Sequence, residues 1–129
     1  MEPYKCRVLL VDDHVPVRIA LRNALGGYAD IQIVGEACDG AQAVEQVDAC
    51  QPDVILMDIN MPKMNGIEAA RVIKKSWQEV AIIGLCTVQD VYRTDTFLKA
   101  GALAVISKDR VEDLHSTIQR ACPTRRSAA

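Results

Sequence analysis

Short apolar stretches alternate along the chain with segments whose apolar residues recur at helical spacing. The apolar stretches are CRVLLV (6–11), IQIVGEA (31–37), DVILM (53–57), AIIGLC (81–86) and ALAVIS (102–107). Most of them lack the regular polar alternation of a strand with one solvent-exposed face. They therefore predict short strands of a parallel sheet that is covered on both faces.

The intervening segments predict helices. Apolar residues three or four positions apart occur within residues 17–25, 43–47, 67–73 and 111–121, and the less regular residues 91–100 predict the fourth helix. Asn65 with Glu68, and Asp109 with Glu112, have the spacing of capping boxes, in which two residues satisfy free N–H groups at a helix start. We expect the third and fifth helices to begin at these pairs.

Five strands, each followed by a helix, predict an α/β fold of the doubly wound (βα)5 type, a three-layer sandwich around a five-stranded parallel sheet. Right-handed crossovers place helices on both faces of the sheet. The 129 residues suit one domain. We expect this domain to span residues 1–122, and residues 123–129 to form a tail or the start of a linker.

Composition and charge narrow the function. The formal net charge of −2 provides no positive field for nucleic acid or for an anionic membrane. No apolar run approaches the roughly 18–20 residues that span a bilayer, and the start, MEPYKCR, lacks the pattern of a signal peptide. The five cysteines form no CxxC motif, which is typical of buried thiols in a reducing compartment. These features favour a cytoplasmic protein.

Charged residues follow three of the predicted strands. Asp12 and Asp13 come after the first strand, Asp58 after the third and Lys108 after the fifth. Because the carboxyl ends of parallel strands share one edge, three carboxylates and one ammonium should meet there. At about 4–5 Å each carboxylate pair repels by roughly 1–4 kcal/mol. The sequence therefore predicts a site for a hard cation, Mg²⁺, with Mn²⁺ as a substitute.

Asp58 is the candidate nucleophile of this site. A bare carboxylate at the end of a buried strand is costly unless it is neutralised, and the cation together with Lys108 would neutralise it. Asp58 could then attack a phosphoryl group in line and form an acyl phosphate, while Lys108 and a hydroxyl or main-chain N–H hold the transferred oxygens. Taken alone, Asp12 or Asp39 would be interpreted as a helix cap or a salt-bridge partner.

Two histidines are interpreted without a catalytic role. His14 follows the acidic pair and is expected to be an exposed residue at a helix start, rather than a residue that supports the acidic site. His115 lies in the last predicted helix and is expected on the surface.

Three segments, VLLVDDH, DVILMDINMPKMNG and KAGALAVISKD, resemble the receiver domain of two-component response regulators over roughly residues 5–121. The opening VDDHVPVR and the ending SKD are most similar to the NarL/LuxR-type branch. The resemblance implies the CheY-like, flavodoxin-type strand order 2-1-3-4-5. It also implies a switch that takes a phosphoryl group from a sensor histidine kinase, often also from small acyl phosphates, and that catalyses its own dephosphorylation.

The resemblance assigns a role to each matching position. Asp58 would be the phosphoacceptor, and Asp13 would bind Mg²⁺ directly, while Asp12 would act through water. The backbone carbonyl of Asn60 would complete the protein ligands, and Lys108 would contact the phosphoryl group.

Three positions depart from the family pattern, and the mildest departure is Asp109, which stands where many receivers carry Pro after the lysine. The switch Ser or Thr at the end of the fourth strand falls on Cys86 when the segments are matched without a gap, and Thr87 lies one place later. A thiol is a weak donor, and a one-residue slip that brought Thr87 into the role would change the face of the strand that it serves. The aromatic residue of the fifth strand falls on Val105. We therefore hypothesise that the phosphorylation chemistry is retained while its coupling to output differs.

Other interpretations of the function stay open. A magnesium-dependent phosphohydrolase of the haloacid dehalogenase type also uses an Asp nucleophile, but it places a second Asp two residues later, where this chain has Asn60. A stand-alone or degenerate receiver would act by protein–protein binding. NarL/LuxR-type proteins usually continue into a DNA-binding helix-turn-helix, so DNA would be contacted only through an output domain outside this chain. A homodimer could form through the faces of helices 1 and 5 or 4 and 5.

Overall fold

Strands and helices alternate along residues 4–122, the part of the chain that the computed structural model describes. The strands are β1 (Cys6–Val11), β2 (Ile31–Ala37), β3 (Val54–Asp58), β4 (Ala81–Cys86) and β5 (Ala104–Ser107). The α-helices are α1 (Val15–Leu25), α2 (Gly40–Cys50), α3 (Gly66–Ser76), α4 (Thr94–Lys99) and α5 (Leu114–Ala121), and two 3₁₀ helices are η1 (Val88–Arg93) and η2 (Val111–Asp113). The predicted tail, residues 123–129, lies outside the described residues. Within residues 4–122 no helix has the length and apolarity needed to cross a membrane.

The strands form a parallel sheet in the order β2-β1-β3-β4-β5. At its centre Leu10 lies opposite Leu56, and Leu56 lies opposite Ile83. The strand order reverses between β1 and β3, and sheets of this kind bind ligands outside the carboxyl ends at that point. The predicted fold class and strand order are confirmed.

Two apolar cores cover the two faces of the sheet. One packs strand residues such as Met57 against α2, α3 and α4, with Phe97 of α4 among its buried members. The other packs Leu56 and its neighbours against α1 and α5, through Leu21 and Ile118. Each fully buried aliphatic side chain of this size contributes about 1.5–3 kcal/mol. Because β3 is buried along its whole length, its carboxyl end is held rigidly between the two layers of helices.

The predicted capping box of α3 is confirmed. The side-chain oxygen of Asn65 accepts the backbone N–H of Glu68 at 2.9 Å, and the Glu68 carboxylate accepts the backbone N–H of Asn65 at 3.2 Å. The second predicted box, Asp109 with Glu112, is wrong. There η2 begins after Arg110 without a side-chain cap, and because Arg110 rather than Asp109 is the N-cap, Glu112 occupies the second helical position instead of the third.

The fourth helix is shorter than the predicted residues 91–100. Only Thr94–Lys99 is α-helical, and η1, which precedes it, buries no residue. The anchor of α4 is Phe97, whose ring occupies the place of a side chain on Gly84: a Cβ there would lie 2.7 Å from the ring. Glycine in β4 is therefore required for α4 to pack this closely on the sheet.

Candidate functional site

Charged side chains from three strand ends meet at the carboxyl edge of the sheet. Asp12 and Asp13 follow β1, Asp58 is the last residue of β3, and Lys108 follows β5. Lys108 Nζ lies 2.9 Å from Asp12 Oδ2 and 3.1 Å from Asp58 Oδ1. The backbone N–H of Lys108 donates to the carbonyl of Cys86 at 2.8 Å, which ties the lysine to β4. The structure therefore joins the lysine directly to two of the three predicted carboxylates.

The two neighbouring aspartates have different surroundings. Asp12 is fully buried, and its Oδ1 accepts the backbone N–H of His14 at 2.9 Å while its Oδ2 accepts from Lys108. The Asp13 side chain is 28% exposed, yet its Oδ1 is buried and accepts no hydrogen bond from the residues described, 4–122. A buried carboxylate oxygen without a partner is costly. Asp13 Oδ1 is therefore an atom that would gain from an added ligand.

His14 lies closer to the acidic residues than the sequence suggested. It occupies the N-cap position of α1 with a side chain 61% exposed, as expected for a helix start. Its Nδ1, however, lies 3.1 Å from Asp12 Oδ1 and 3.1 Å from Asp13 Oδ1, and of these two contacts only the one to Asp12 has hydrogen-bond geometry. The imidazole thus contacts both carboxylates that follow β1.

Burial and neighbouring charges shift the pKa values of Asp58 and Lys108. Asp58 is 4% exposed, and burial, followed by the charge of Asp12, raises the pKa of its carboxyl, although Lys108 and the backbone N–H of Asn60 act in the opposite direction. Burial alone would lower the pKa of Lys108, but its hydrogen bond to Asp12 and the charge of Asp58 outweigh burial and raise that pKa. The lysine therefore stays protonated, while the ionised form of Asp58 is held at an energetic cost.

The start of α3 packs directly against the backbone of Asp58. A Cβ on Gly66 would lie 2.2 Å from the carbonyl oxygen of Asp58, so a larger residue cannot fit without a backbone shift. The N–H of Gly66 donates to the carbonyl of Ile59 at 2.9 Å, and the backbone N–H of Asn60 acts to lower the pKa of the Asp58 carboxyl. The loop and the helix together fix the orientation of Asp58.

Cys86 and Thr87, the two candidates for the switch position, lie in different environments. Cys86 ends β4, is 4% exposed and belongs to the core beneath α2, α3 and α4, against which Val105 also packs. Burial, together with the charge of Asp90, raises the pKa of the Cys86 thiol. Thr87 is exposed, and its hydroxyl donates to Asp90 Oδ2 at 3.1 Å. The Thr87 hydroxyl is the stronger donor of the two and the more accessible one, and it is already bonded to Asp90 of η1.

A polar network joins the loop after β3 to η1. The side-chain amide N–H of Asn60 donates to Asp90 Oδ2 at 2.6 Å, and the Asn60 side-chain oxygen accepts from Arg93 Nη1 at 2.5 Å. With Thr87 these residues form what we call the Asn60 network. The sequence did not predict this network, because Asn60 and Asp90 are 30 residues apart and no sequence motif links them.

The acidic residues offer ligand atoms that suit a divalent cation. One such atom from each of Asp12, Asp13, His14 and Asp58 lies within 4.8 Å of the others. Three of these four groups are carboxylates, which are hard oxygen donors of the kind that Mg²⁺ prefers. The set includes Asp13, whose Oδ1 accepts no hydrogen bond within residues 4–122. The residues present therefore fit a hard divalent ion.

The chain is similar over most of its length to proteins of one family. The family model described as the response regulator receiver domain matches residues 8–119. The transcriptional regulatory protein LiaR of Bacillus subtilis is 41% identical over 102 residues, which cover 79% of this chain and 48% of LiaR. A protein-glutamate methylesterase/protein-glutamine glutaminase of Pyrococcus abyssi is 39% identical over 105 residues, which cover 81% of this chain and 28% of that protein.

Solved structures share the fold across almost the whole chain. The response regulator domain of Thermotoga maritima CheB has a TM-score of 0.85 and 32% identity, over 92% of this chain and 96% of that chain. The signal receiver domain of NarL from Mycobacterium tuberculosis has a TM-score of 0.82 and 32% identity, over 92% of this chain and 98% of that chain. The chain spans about half or less of the curated relatives named above. It belongs to the receiver domain family of two-component response regulators.

Proposed function

We propose that this receiver domain is a phosphorylation-dependent signalling switch in which Asp58 accepts the phosphoryl group. The surroundings of Asp58 carry this proposal. Its buried carboxylate lies 3.1 Å from Lys108 Nζ, and it offers a ligand atom within 4.8 Å of those of Asp12 and Asp13. Phosphoryl transfer to a carboxylate requires a nucleophilic carboxylate, a fixed positive charge and oxygen ligands for a cation. Here Asp58, Lys108 and the neighbouring aspartates supply them.

Mg²⁺, with Mn²⁺ as a substitute, is the cation that we assign to the acidic cluster. Asp13, Asp58 and the backbone carbonyl of Asn60 would be its protein ligands, while Asp12 would act through water. The hydrogen bonds support this division, because both oxygens of Asp12 already accept from protein groups, whereas Asp13 Oδ1 accepts from none within residues 4–122. When bound, the ion would neutralise charge on the phosphoryl oxygens.

The side chains of the site have distinct roles in transfer. An oxygen of Asp58 attacks phosphorus in line, so that a bond forms between that oxygen and phosphorus while the bond from phosphorus to the donor breaks. Lys108, kept protonated by its carboxylate neighbours, pairs with a transferred oxygen once Asp58 has become an acyl phosphate. Thr87 supplies a hydroxyl donor, and Cys86 supplies a weaker thiol donor.

The phosphoryl donor in this proposal is a sensor histidine kinase, acting in the cytoplasm. The relatives named above carry two kinds of activity, transcriptional regulation in LiaR and methylesterase/glutaminase activity in the archaeal protein. We assign transcriptional regulation, because the strand-end sequence SKD is of the NarL/LuxR type and a NarL receiver is a structural relative. DNA would be contacted only through an output domain, and phosphorylation would alter contacts with that domain or with a second copy. The domain would turn over no substrate other than its own phosphoryl group.

Intact-mass spectrometry after incubation with acetyl phosphate and Mg²⁺ tests the proposal. Wild type should gain the mass of a phosphoryl group, and Asp58→Asn should not. Asp39→Asn is a matched control, since Asp39 is a buried acid that caps α2 through Gln42, and it should be modified like wild type. An unmodified wild type, or modification that survives in Asp58→Asn, would contradict the assignment. Release of phosphate from small phosphate esters with steady turnover would favour a hydrolase instead.

A further inference from the structure

The 3₁₀ helix η1 is held on the domain without apolar anchors. It buries no residue, and its large apolar side chains, Val88, Val91 and Tyr92, are 75%, 61% and 77% exposed. The neighbouring α4, in contrast, is fixed by the fully buried ring of Phe97. The described contacts that fasten η1 to the loop after β3 are those of the Asn60 network, so the position of η1 depends on polar bonds that a charge can compete for.

Asn60 connects this network to the phosphoacceptor. Asn60 lies two residues after Asp58, and its backbone N–H acts to lower the pKa of the Asp58 carboxyl, while its side chain binds Asp90 through nitrogen and Arg93 through oxygen. A change in the charge or position of Asp58 can therefore reach η1 through this one residue.

A phosphoryl group on Asp58 would compete with Asp90 for the same donors. Within the network the Asp90 carboxylate accepts hydrogen bonds from the hydroxyl of Thr87 and the amide of Asn60, and Arg93 adds a guanidinium. A phosphoryl group brings three strong acceptor oxygens and about −1.5 to −2 of charge. It would attract the donors and repel Asp90, because guanidinium and hydroxyl groups bind phosphate oxygens well and like charges repel.

We propose, on the basis of the phosphorylation of Asp58 proposed above, that Asp90 is a positioning residue that holds η1 against Asn60, and that phosphorylation releases this hold. Released η1 can reorient, which changes where its exposed apolar side chains lie on the surface. The release links phosphorylation to the surface without a Ser or Thr at position 86 or an aromatic residue at position 105. It therefore accounts for an output route in a chain that has Cys86 and Val105 at those places.

Binding of beryllofluoride with Mg²⁺, a probe that mimics the phosphoryl group, tests this coupling. If the hydrogen bonds of the Asn60 network must break before the probe can bind, the free energy needed to break them weakens the binding of the probe. Asp90→Ala and Asn60→Ala each break the network, but only the first removes a negative charge. Both should lower the half-saturating beryllofluoride concentration by about three- to tenfold, the range expected for one or two partly exposed hydrogen bonds. The double variant should gain no more than the larger single effect.

Amide hydrogen exchange of residues 88–93 provides the second readout. Wild type should exchange slowly without the probe and faster at saturation, while both single variants should exchange fast without it. Asp95→Ala is the control, since Asp95 is an acid in the first turn of α4, and it should behave like wild type in both measurements.

Each alternative outcome has a distinct meaning. Faster exchange with unchanged probe affinity would mean that the network only stabilises η1, and it would overturn the coupling. A gain in affinity for Asp90→Ala but not for Asn60→Ala would assign the effect to charge alone and would also overturn it. If wild type neither binds the probe nor accepts phosphate, the proposed function itself fails. If wild type does both but the variants match it, only the release is wrong.

Discussion

Asp58 and Glu36 are acidic residues whose pKa values shift in opposite directions. Burial and the charge of Asp12 raise the pKa of Asp58. The hydrogen bond from Arg22, helped by Arg18, lowers the pKa of Glu36 in spite of its partial burial. A raised carboxyl pKa means that the ionised form costs stability above the ordinary pKa, whereas a lowered one means that the ionised form adds stability there. The ionised form of Asp58, the proposed phosphoacceptor, thus costs stability at neutral pH, whereas the ionised form of Glu36 adds stability.

Asp58→Asn should stabilise the domain at pH 7 in the absence of divalent ions. Removing the costly charge while Lys108 keeps its bond to Asp12 should raise the free energy of unfolding by about 1–2 kcal/mol. The gain should shrink as pH falls through the raised pKa of Asp58 and vanish below the ordinary Asp value of 3.8, because wild type then carries no charge there either. Urea denaturation with a chelator between pH 7 and pH 3 measures it, and a gain that does not depend on pH would contradict this explanation.

Glu36→Gln should have the opposite effect. The Glu36 side chain is 33% exposed and bridges Arg18 at 2.8 Å and Arg22 at 2.5 Å, so after discounting for solvent screening we expect a loss of about 0.5–1 kcal/mol at pH 7. The loss should disappear as pH falls through the lowered pKa, below the ordinary Glu value of 4.5. The same denaturation series checks this, and a loss that persists at the acid end would assign it to packing rather than charge.

At the scale of secondary-structure elements, the close approach of α3 to β3 positions Asp58, the proposed phosphoacceptor. Gly66→Ala should destabilise the domain by about 1–3 kcal/mol, because the new Cβ would lie 2.2 Å from the carbonyl oxygen of Asp58 and backbone must move. Gly27→Ala is the matched control, since a Cβ there would have no neighbour within 4 Å. Thermal or urea unfolding compares them, and equal stability of the two variants would show that α3 can shift freely.

The elements also show where sequence reasoning succeeds. The bounds of β1, β2 and β4 match the predicted runs residue for residue, because each run is mostly apolar and is bounded by residues that favour turns and loops. The fourth helix was predicted too long, since its single deep anchor, Phe97, fixes only the last turns. The capping box at Asp109 failed because the helix begins one residue later than predicted, with Arg110 at the N-cap.

At the scale of the whole molecule, the candidate site could be predicted because parallel topology converts strand ends into neighbours. Asp12, Asp58 and Lys108 are far apart along the chain, yet the structure brings them together as the strand-end argument requires. Contacts between loops and helices could not be predicted in this way. His115 is partly exposed, with 23% of its side chain accessible, but no sequence pattern indicated its partners: its Nε2 lies 2.9 Å from Asp30 Oδ1 and its ring stacks on Tyr28 at 3.6 Å. Such pairs depend on packing that no local pattern records.

Calorimetric titration with Mg²⁺ is the most direct test of the central claim, that carboxylates from β1 and β3 form a divalent-ion site beside Lys108. Wild type should bind one Mg²⁺ ion per chain. Asp13→Asn should lower the Mg²⁺ affinity by about tenfold or more, since even mutation of residues that only support metal ligands has an effect of this size. Asp39→Asn should bind like wild type, since Asp39 caps α2 through Gln42 instead. Absence of Mg²⁺ uptake by wild type, or equal uptake by Asp13→Asn, would contradict the account.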